Sequence, residues 1–289
     1  MKKLKVLSAL IVCLSMFMYS CKKENLTSSN SIISAEDNAT AESEFSSTFD
    51  LGDDVATNEG RLKKGGSTIL PNGAIITITD SLFSDGDGKE FSIDFGPLGS
   101  TPPLGMLCGD GRYRAGKVHF TLSESYLNIG AILTININET DNYYGGNGTQ
   151  MTQISGTKII TRTKENQLSI VVNNGKAKNE KGTVLWSSVR TITRTFDAGP
   201  GFLGDVFEMT GTALGSNRKN EQFKITIDEA LKKKIQVGCA NTFVKGKLTL
   251  KNLDTDDQIS VDYDPYNNEA CDRTAKATYK GKDYFFEVR

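Results

Sequence analysis

The chain has 289 residues, of which 34 are basic and 35 acidic, so its formal net charge is −1. From residue 66 onward the two charges balance at 26 each. This balance argues against nucleic-acid binding, which depends on clustered positive charge. A single histidine, His119, leaves multi-histidine metal sites and histidine-based triads with only one imidazole, so we interpret it as an ordinary strand residue.

Residues 1–20 have the layout of a secretory signal peptide. Lysines at positions 2, 3 and 5 precede an apolar stretch from residue 6 to residue 19, and the small Ser20 follows it. This apolar stretch is shorter than the roughly 20 residues that a membrane-spanning helix needs. The pattern therefore predicts export and removal of the leader.

The end of the leader, Met18-Tyr19-Ser20-Cys21, resembles a bacterial lipobox, although Tyr19 departs from the small or aliphatic residue usual there. The resemblance implies cleavage before Cys21, acylation of its sulfur with palmitate-like chains, and anchorage to a membrane, expected to be the outer membrane. A secreted protein with an ordinary cleavage site is the alternative.

Residues 21–66 have the composition of a disordered acidic tether. Between Glu24 and Gly60 there are nine carboxylates and neither lysine nor arginine, and the stretch shows no sustained apolar period. Such a segment repels itself and stays extended. We expect it to hold the remaining domain away from the lipid headgroups, with a plain solubilising tail as the alternative.

Residues 67–289 predict an all-β fold, an antiparallel meander that forms either a sandwich-like structure or one elongated sheet. Short alternating segments are separated by glycine, asparagine and aspartate turns, as in the segment from Val244 to Leu250. Asn173-Asn174-Gly175 and Lys280-Gly281 are predicted hairpin turns. One short helix is predicted over 230–234, because Thr226 and Glu229 could form a capping box.

An approximate repeat predicts two related halves, 67–150 and 151–289. Phe91-Ser-Ile-Asp-Phe-Gly before Cys108-Gly-Asp-Gly is echoed by Ile259-Ser-Val-Asp-Tyr-Asp before Cys271-Asp-Arg. With the lipobox and the acidic segment, these motifs resemble a group of envelope lipoproteins from Bacteroidota. The resemblance implies an envelope location and an all-β fold, and it transfers no catalytic residue.

Asp80-Ser81-Leu82 resembles the O-glycosylation acceptor of Bacteroidota envelope proteins, which implies a glycan on Ser81.

Three cysteines remain for pairing after export and acylation: Cys108, Cys239 and Cys271. An oxidising compartment favours one disulfide. We expect Cys239 to pair with Cys271, because both flank strands of the C-terminal half, whereas Cys108 belongs to the other half. Three buried reduced thiols are the alternative. The absence of Cys-x-x-Cys spacing argues against a thiolate zinc site.

Two loops carry side chains suited to ligands. Asp262, Tyr263, Asp264, Tyr266 and Asn267 combine carboxylates, an amide and aromatic rings, a mixture that can hold a sugar or a hard cation. A turn rich in aspartate and asparagine is the simpler interpretation. The Asp85-Gly86-Asp87-Gly88 segment offers oxygen ligands but lacks a full calcium-binding loop, so we interpret it as a hairpin turn and assign no metal.

These features predict a lipid-anchored envelope protein whose β domain binds a glycan or a protein without catalysis, and which needs no cofactor. The alternative is a polysaccharide hydrolase with a pair of carboxylates, since one acid and one base or nucleophile suffice for that reaction. With 26 acidic residues in the β domain, the sequence does not single out a pair.

Overall fold

The computed structural model describes residues 30–57, 69–199, 204–236, 239 and 243–287. These residues form one α-helix, α1 (Asn30–Thr57), a 3₁₀ helix (Glu139–Asp141) and sixteen strands. The strands are β1 (Ile75–Asp80), β2 (Lys89–Asp94), β3 (Met106–Leu107), β4 (Tyr113–Ala115), β5 (Lys117–Leu122), β6 (Ile132–Ile137), β7 (Tyr144–Gly146), β8 (Met151–Lys164), β9 (Gln167–Asn179), β10 (Gly182–Phe196), β11 (Val206–Ser216), β12 (Gln222–Lys234), β13 (Phe243–Asn252), β14 (Gln258–Asp262), β15 (Thr274–Tyr279) and β16 (Lys282–Glu287).

All the strands belong to one open antiparallel sheet, which confirms the all-β prediction. Its order is β1-β2-β5-β6-β8-β9-β10-β11-β12-β13-β14-β15-β16, and β3, β4 and β7 form a side branch that joins β8. The same sheet continues across residue 150, where the sequence suggested a border between two halves. The architecture is a single sheet, and no second sheet packs on it within the described ranges.

Alternation of apolar and polar residues gives each strand a buried and a wet face. In β13, Val244, Leu248 and Leu250 are buried, while Lys245 points outward. Lys280 and Gly281 both have positive φ and connect β15 to β16, as predicted. The turn predicted at Asn173-Asn174-Gly175 was wrong: β9 continues through it, and the register shift opposite Gly156 accommodates the extra residue.

The prediction of a disordered tether over residues 21–66 was wrong for Asn30–Thr57, which form the long helix α1. The segment has no proline and contains good helix formers such as Ala35, Ala39 and Ala41. Nearly every residue of α1 from Ser34 to Ala56 is buried or half-buried against the inner face of the sheet. The rest of the predicted tether, and the signal peptide with Cys21, lie outside the described residues.

The core lies between α1 and the sheet. Phe45 stacks on Trp186 of β10, with ring centroids 5.2 Å apart, and Phe49, Leu51 and Val55 join the same apolar cluster. Gly52 lies so close to β6 that an added Cβ would come 2.7 Å from Ile135 Cδ1.

Neither α1 nor any other helix in the described ranges combines the length and the apolar character that crossing a membrane requires.

The short helix predicted over 230–234 was also wrong, because these residues extend β12. Phe223, Ile225 and Ile227 are buried in alternation, and Leu231 and Lys233 continue the same inner face. At the register shifts between them, Glu229, which alternation would place inward, is exposed. The bulge breaks the simple alternation of the sequence, which is why a strand was not recognised there.

Candidate functional site

The acidic side chains of α1 have charged or hydrogen-bonding partners on strands and loops of the β domain. Arg190 lies 2.5 Å from Glu42, and both are almost fully buried. Arg112 pairs with Glu44 at 2.5 Å, and Lys233 with Asp50 at 2.8 Å. Further contacts join Arg218 to Glu36 and Asp37, the Tyr126 hydroxyl to Asp53, and the Ile69 amide to Asp54.

These partners are what sequence reasoning missed. The counterions of the acidic stretch lie far along the chain, at Arg112 and in strands and turns that follow it. Alternation along β10 offers a signal that could have found one of them, since it places Arg190 on the same face as Trp186 and Ile192. A charged residue at an inward position needs a buried partner.

The helix gives the molecule two distinct ends. Near its start, Ser34 accepts a hydrogen bond from Asn217 and Asp37 pairs with Arg218, both in the β11–β12 turn. We call this the Arg218 end; it comprises the turns at 180–181, 217–221, 253–257 and 280–281. Near the helix end, Asp53 contacts Tyr126. We call this the disulfide end; its described loops are 81–88, 123–131, 165–166, 197–199, 204–205, 235–236 with 239, and 263–273.

The structure joins Cys239 to Cys271, the pair that the sequence favoured, with Cα atoms 5.0 Å apart. The bond ties the connection after β12 to the β14–β15 loop. Cys108 is a free, buried thiol, and burial raises its pKa, so it is poorly disposed to react as a thiolate.

Most of the predicted ligand loop serves its own structure. Asp264 is buried, and its Oδ1 accepts hydrogen bonds from the backbone amides of Asn268 and Glu269. Asp262 Oδ1 accepts one from the Asp264 amide, and Asn267 occupies the left-handed region with φ 53°. Tyr263 is buried against Phe243, edge to face. Four of the five predicted residues therefore build a turn, as the simpler interpretation held.

Glu269 fastens this loop to the sheet. Lys232 and Lys234 of β12 lie 2.9 Å from its carboxylate, and Lys245 of β13 lies 3.3 Å away. Hydrogen bonds from Lys232 and Lys234 lower the pKa of Glu269 to about 2, so the carboxylate stays ionised at any physiological pH. Sequence reasoning had no basis for selecting Glu269, because its three lysines belong to other strands.

The fifth predicted residue, Tyr266, remains accessible. Its ring is 58% exposed and stacks on Phe285 of β16, which is 55% exposed. Leu127 and Ile129 in the β5–β6 loop are more than 60% exposed, and Phe196 at the end of β10 is 59% exposed. These apolar side chains all belong to loops or strand ends of the disulfide end. Other exposed apolar side chains, such as Ile75, Leu185 and Leu214, lie in strands. Exposed apolar side chains in several loops of the same end indicate a candidate interaction surface.

A small pocket, open to solvent, lies between α1 and strands β10–β13. Its walls are apolar apart from Ser46 and the Lys233–Asp50 ion pair, and it is lined by Phe49, Ile192, Phe207, Met209, Leu231, Ile235 and Phe243. Such a lining suits an apolar group more than a sugar ring. Because Phe207 and Phe243 lie at the starts of β11 and β13 and Ile235 directly follows β12, the pocket belongs to the disulfide end.

Ser81 is exposed directly after β1, where a modifying enzyme can reach it, and its glycosylation stays a prediction. Beside it, carboxylate oxygens of Asp80, Asp85 and Asp87 lie within 4.8 Å of one another. A hydrogen bond with Asp85 raises the pKa of Asp87. The arrangement is a turn with crowded carboxylates, and among the described residues no further carboxylate, histidine or cysteine joins the three.

Comparison of this chain with family models, with curated proteins and with solved structures finds no match.

Proposed function

We propose that the protein is a lipid-anchored component of the cell envelope that binds another protein, without catalysis, through its disulfide end. The lipobox resemblance at Cys21 supports the anchor. The observation that carries the binding role is that exposed Leu127, Ile129, Phe196 and Tyr266 all belong to loops or strand ends on the side of the sheet that also holds the apolar pocket.

A protein partner fits this chemistry best. Interface cores are rich in aromatic and other apolar side chains and poor in charges. The disulfide and the Glu269 contacts hold the β14–β15 loop in place, so Tyr266 needs little ordering on binding. A partner's apolar side chain would occupy the pocket beside Phe49 and Phe243.

A glycan is the second candidate, supported by the Tyr266–Phe285 pair, because exposed aromatic faces can stack on sugar rings. Hydrolysis of a polysaccharide is a third activity to test. It would require one protonated and one ionised carboxyl group about 5 to 10 Å apart in a groove. Asp264 and Glu269, two carboxylates of the β14–β15 loop, are engaged in structural contacts.

The anchor and the binding surface can be tested separately in cells. Labelled palmitate should enter the wild-type protein and not a Cys21→Ala variant. For binding, a photo-crosslinking amino acid replaces Leu127 at the disulfide end or, as the matched control, the exposed Leu253 at the Arg218 end. We expect a discrete adduct from position 127 that disappears when Ile129→Asp is added.

Equal adducts at positions 127 and 253, or none at 127, would contradict binding through the disulfide end. A glycan array and a glycosidase panel run on the purified protein decide among the other candidates. Binding on the array that Tyr266→Ala abolishes would favour the glycan, and turnover of any polysaccharide would favour the hydrolase.

A further inference from the structure

The start of α1 is fixed to the folded domain. Asn217 donates a hydrogen bond to the Ser34 hydroxyl at 2.8 Å. Arg218 contacts Asp37 at 2.6 Å through its guanidinium and at 2.7 Å through its backbone amide, and it also lies 2.8 Å from Glu36. These contacts join the helix to the β11–β12 turn, so the chain enters the domain at the Arg218 end.

Little chain separates this entry point from the predicted lipid anchor. Asn30, where α1 begins, is nine residues after Cys21. Even fully extended, nine residues span only about 30 Å. The helix itself has 28 residues and is about 42 Å long. An inverted orientation, with the disulfide end against the bilayer, would require the chain to run back over a distance longer than its reach.

We propose that the Arg218 end faces the lipid surface and that the disulfide end points away from it. This inference rests on the acylation of Cys21 in the proposed function. It adds to that function the orientation of the β domain relative to the membrane. The membrane-facing surface comprises the turns that carry Lys181, Lys219 and Leu253. It places the exposed apolar side chains of the disulfide end where a partner in the aqueous compartment can reach them.

Chain length sets this orientation, and attraction to headgroups contributes little. Two cations at the Arg218 end have acidic partners: Lys251 lies 2.5 Å from Asp256, and Lys280 lies 3.2 Å from Asp257. An anionic lipid would have to compete with these carboxylates. The orientation should therefore be the same on neutral and anionic membranes and should not change with salt.

The experiment uses the acylated full-length mature protein in phosphatidylcholine vesicles that carry a nitroxide quencher on the headgroup. A fluorophore is attached at Lys219→Cys, in an exposed turn of the Arg218 end, or at Glu165→Cys, in an exposed turn of the disulfide end. We expect quenching at 219 to exceed quenching at 165 at least about threefold, given the length of α1. Equal quenching, or stronger quenching at 165, would overturn the orientation.

A second variant tests whether the short connection is the cause. Inserting about thirty glycine and serine residues after Thr27 gives a connection with a root-mean-square reach of roughly 35 Å. Quenching at 219 should then fall towards the value at 165; an unchanged difference would contradict the role of chain length. Failure of the labelled wild-type protein to bind vesicles more than Cys21→Ala does would instead overturn the anchor in the proposed function.

Discussion

Lys158 of β8 shows how costly the polar interior is at the level of one residue. Its side chain is almost fully enclosed, and its ammonium group donates a hydrogen bond to the Phe45 carbonyl and lies 5.5 Å from the Phe49 ring centroid. Burial lowers its pKa from 10.5 to about 7, although Asp50 and Glu42 act in the opposite direction. Keeping this lysine protonated in the folded state therefore costs free energy.

Replacing Lys158 by methionine should stabilise the protein at low pH. In the wild type, the free-energy cost of burying the charged Lys158 side chain is fully present below pH 7, where the lysine is protonated in both the folded and the unfolded state. This cost disappears as pH rises through 10.5, because the lysine is then neutral in both states. The free energy of unfolding of Lys158→Met should exceed that of the wild type by on the order of 4 kcal/mol at pH 6 and by about 1 kcal/mol at pH 10. Urea unfolding at several pH values measures this.

The exposed Lys178→Met, on the neighbouring strand β9, is the matched control and should leave stability nearly unchanged at each pH. The Phe45 carbonyl retains its hydrogen bond from the Thr48 hydroxyl when Lys158 is removed. A stability difference that does not change with pH would show that Lys158 is not neutralised by burial.

At the scale of elements, buried ion pairs hold the acidic helix α1 in the β domain. Glu42→Gln removes the charge that faces Arg190 in the core and leaves an uncompensated guanidinium. Breaking a buried pair in this way costs about 3–5 kcal/mol of unfolding free energy. Equilibrium urea unfolding followed by the fluorescence of Trp186, the single tryptophan, measures the loss.

Glu36→Gln is the control for this element. Glu36 also contacts arginine, yet its side chain is 41% exposed and Arg218 keeps Asp37 as a partner. The loss should stay below about 1 kcal/mol. If the two variants lose the same stability, or neither loses any, α1 is not held by its buried ion pairs.

The strands were more predictable than the helix for a physical reason. The alternating segment from Val244 to Leu250 was predicted correctly and lies within β13, because one face of it is buried and the other is wet. In α1 the same residue types that signal disorder, such as Glu42 and Asp50, are buried against arginine and lysine from β10 and β12. No window of the sequence contains both partners, so an interpretation of local composition could not detect the pairing.

The candidate site was predictable only in part, for the same reason. The cysteine pair and Tyr266 could be singled out from their own neighbourhoods. The pocket could not, because its lining comes from α1 and from four strands between Ile192 and Phe243. The contribution of Leu127 and Ile129 depends on the fold bringing the β5–β6 loop to the same end as the β14–β15 loop.

At the scale of the whole molecule, the sheet should not fold without its helix. Eight apolar residues of α1 are buried in the domain, among them Phe45, Phe49, Leu51 and Val55. Burying these four contributes roughly 6–12 kcal/mol, which is comparable to the total stability of a typical domain. Without α1, Lys158, Arg190 and Lys233 would also lose the partners that their inward positions require.

Deleting residues 22–57 from the mature chain should therefore abolish the cooperative unfolding transition and shift Trp186 emission to the red, since Phe45 and Asn38 enclose the indole. Deleting residues 22–29 alone is the control and should leave both properties unchanged, because α1 begins at Asn30. A soluble 58–289 fragment with a sharp transition and wild-type emission would mean that the sheet forms its own core. Such a result would return the acidic segment to the role of a tether.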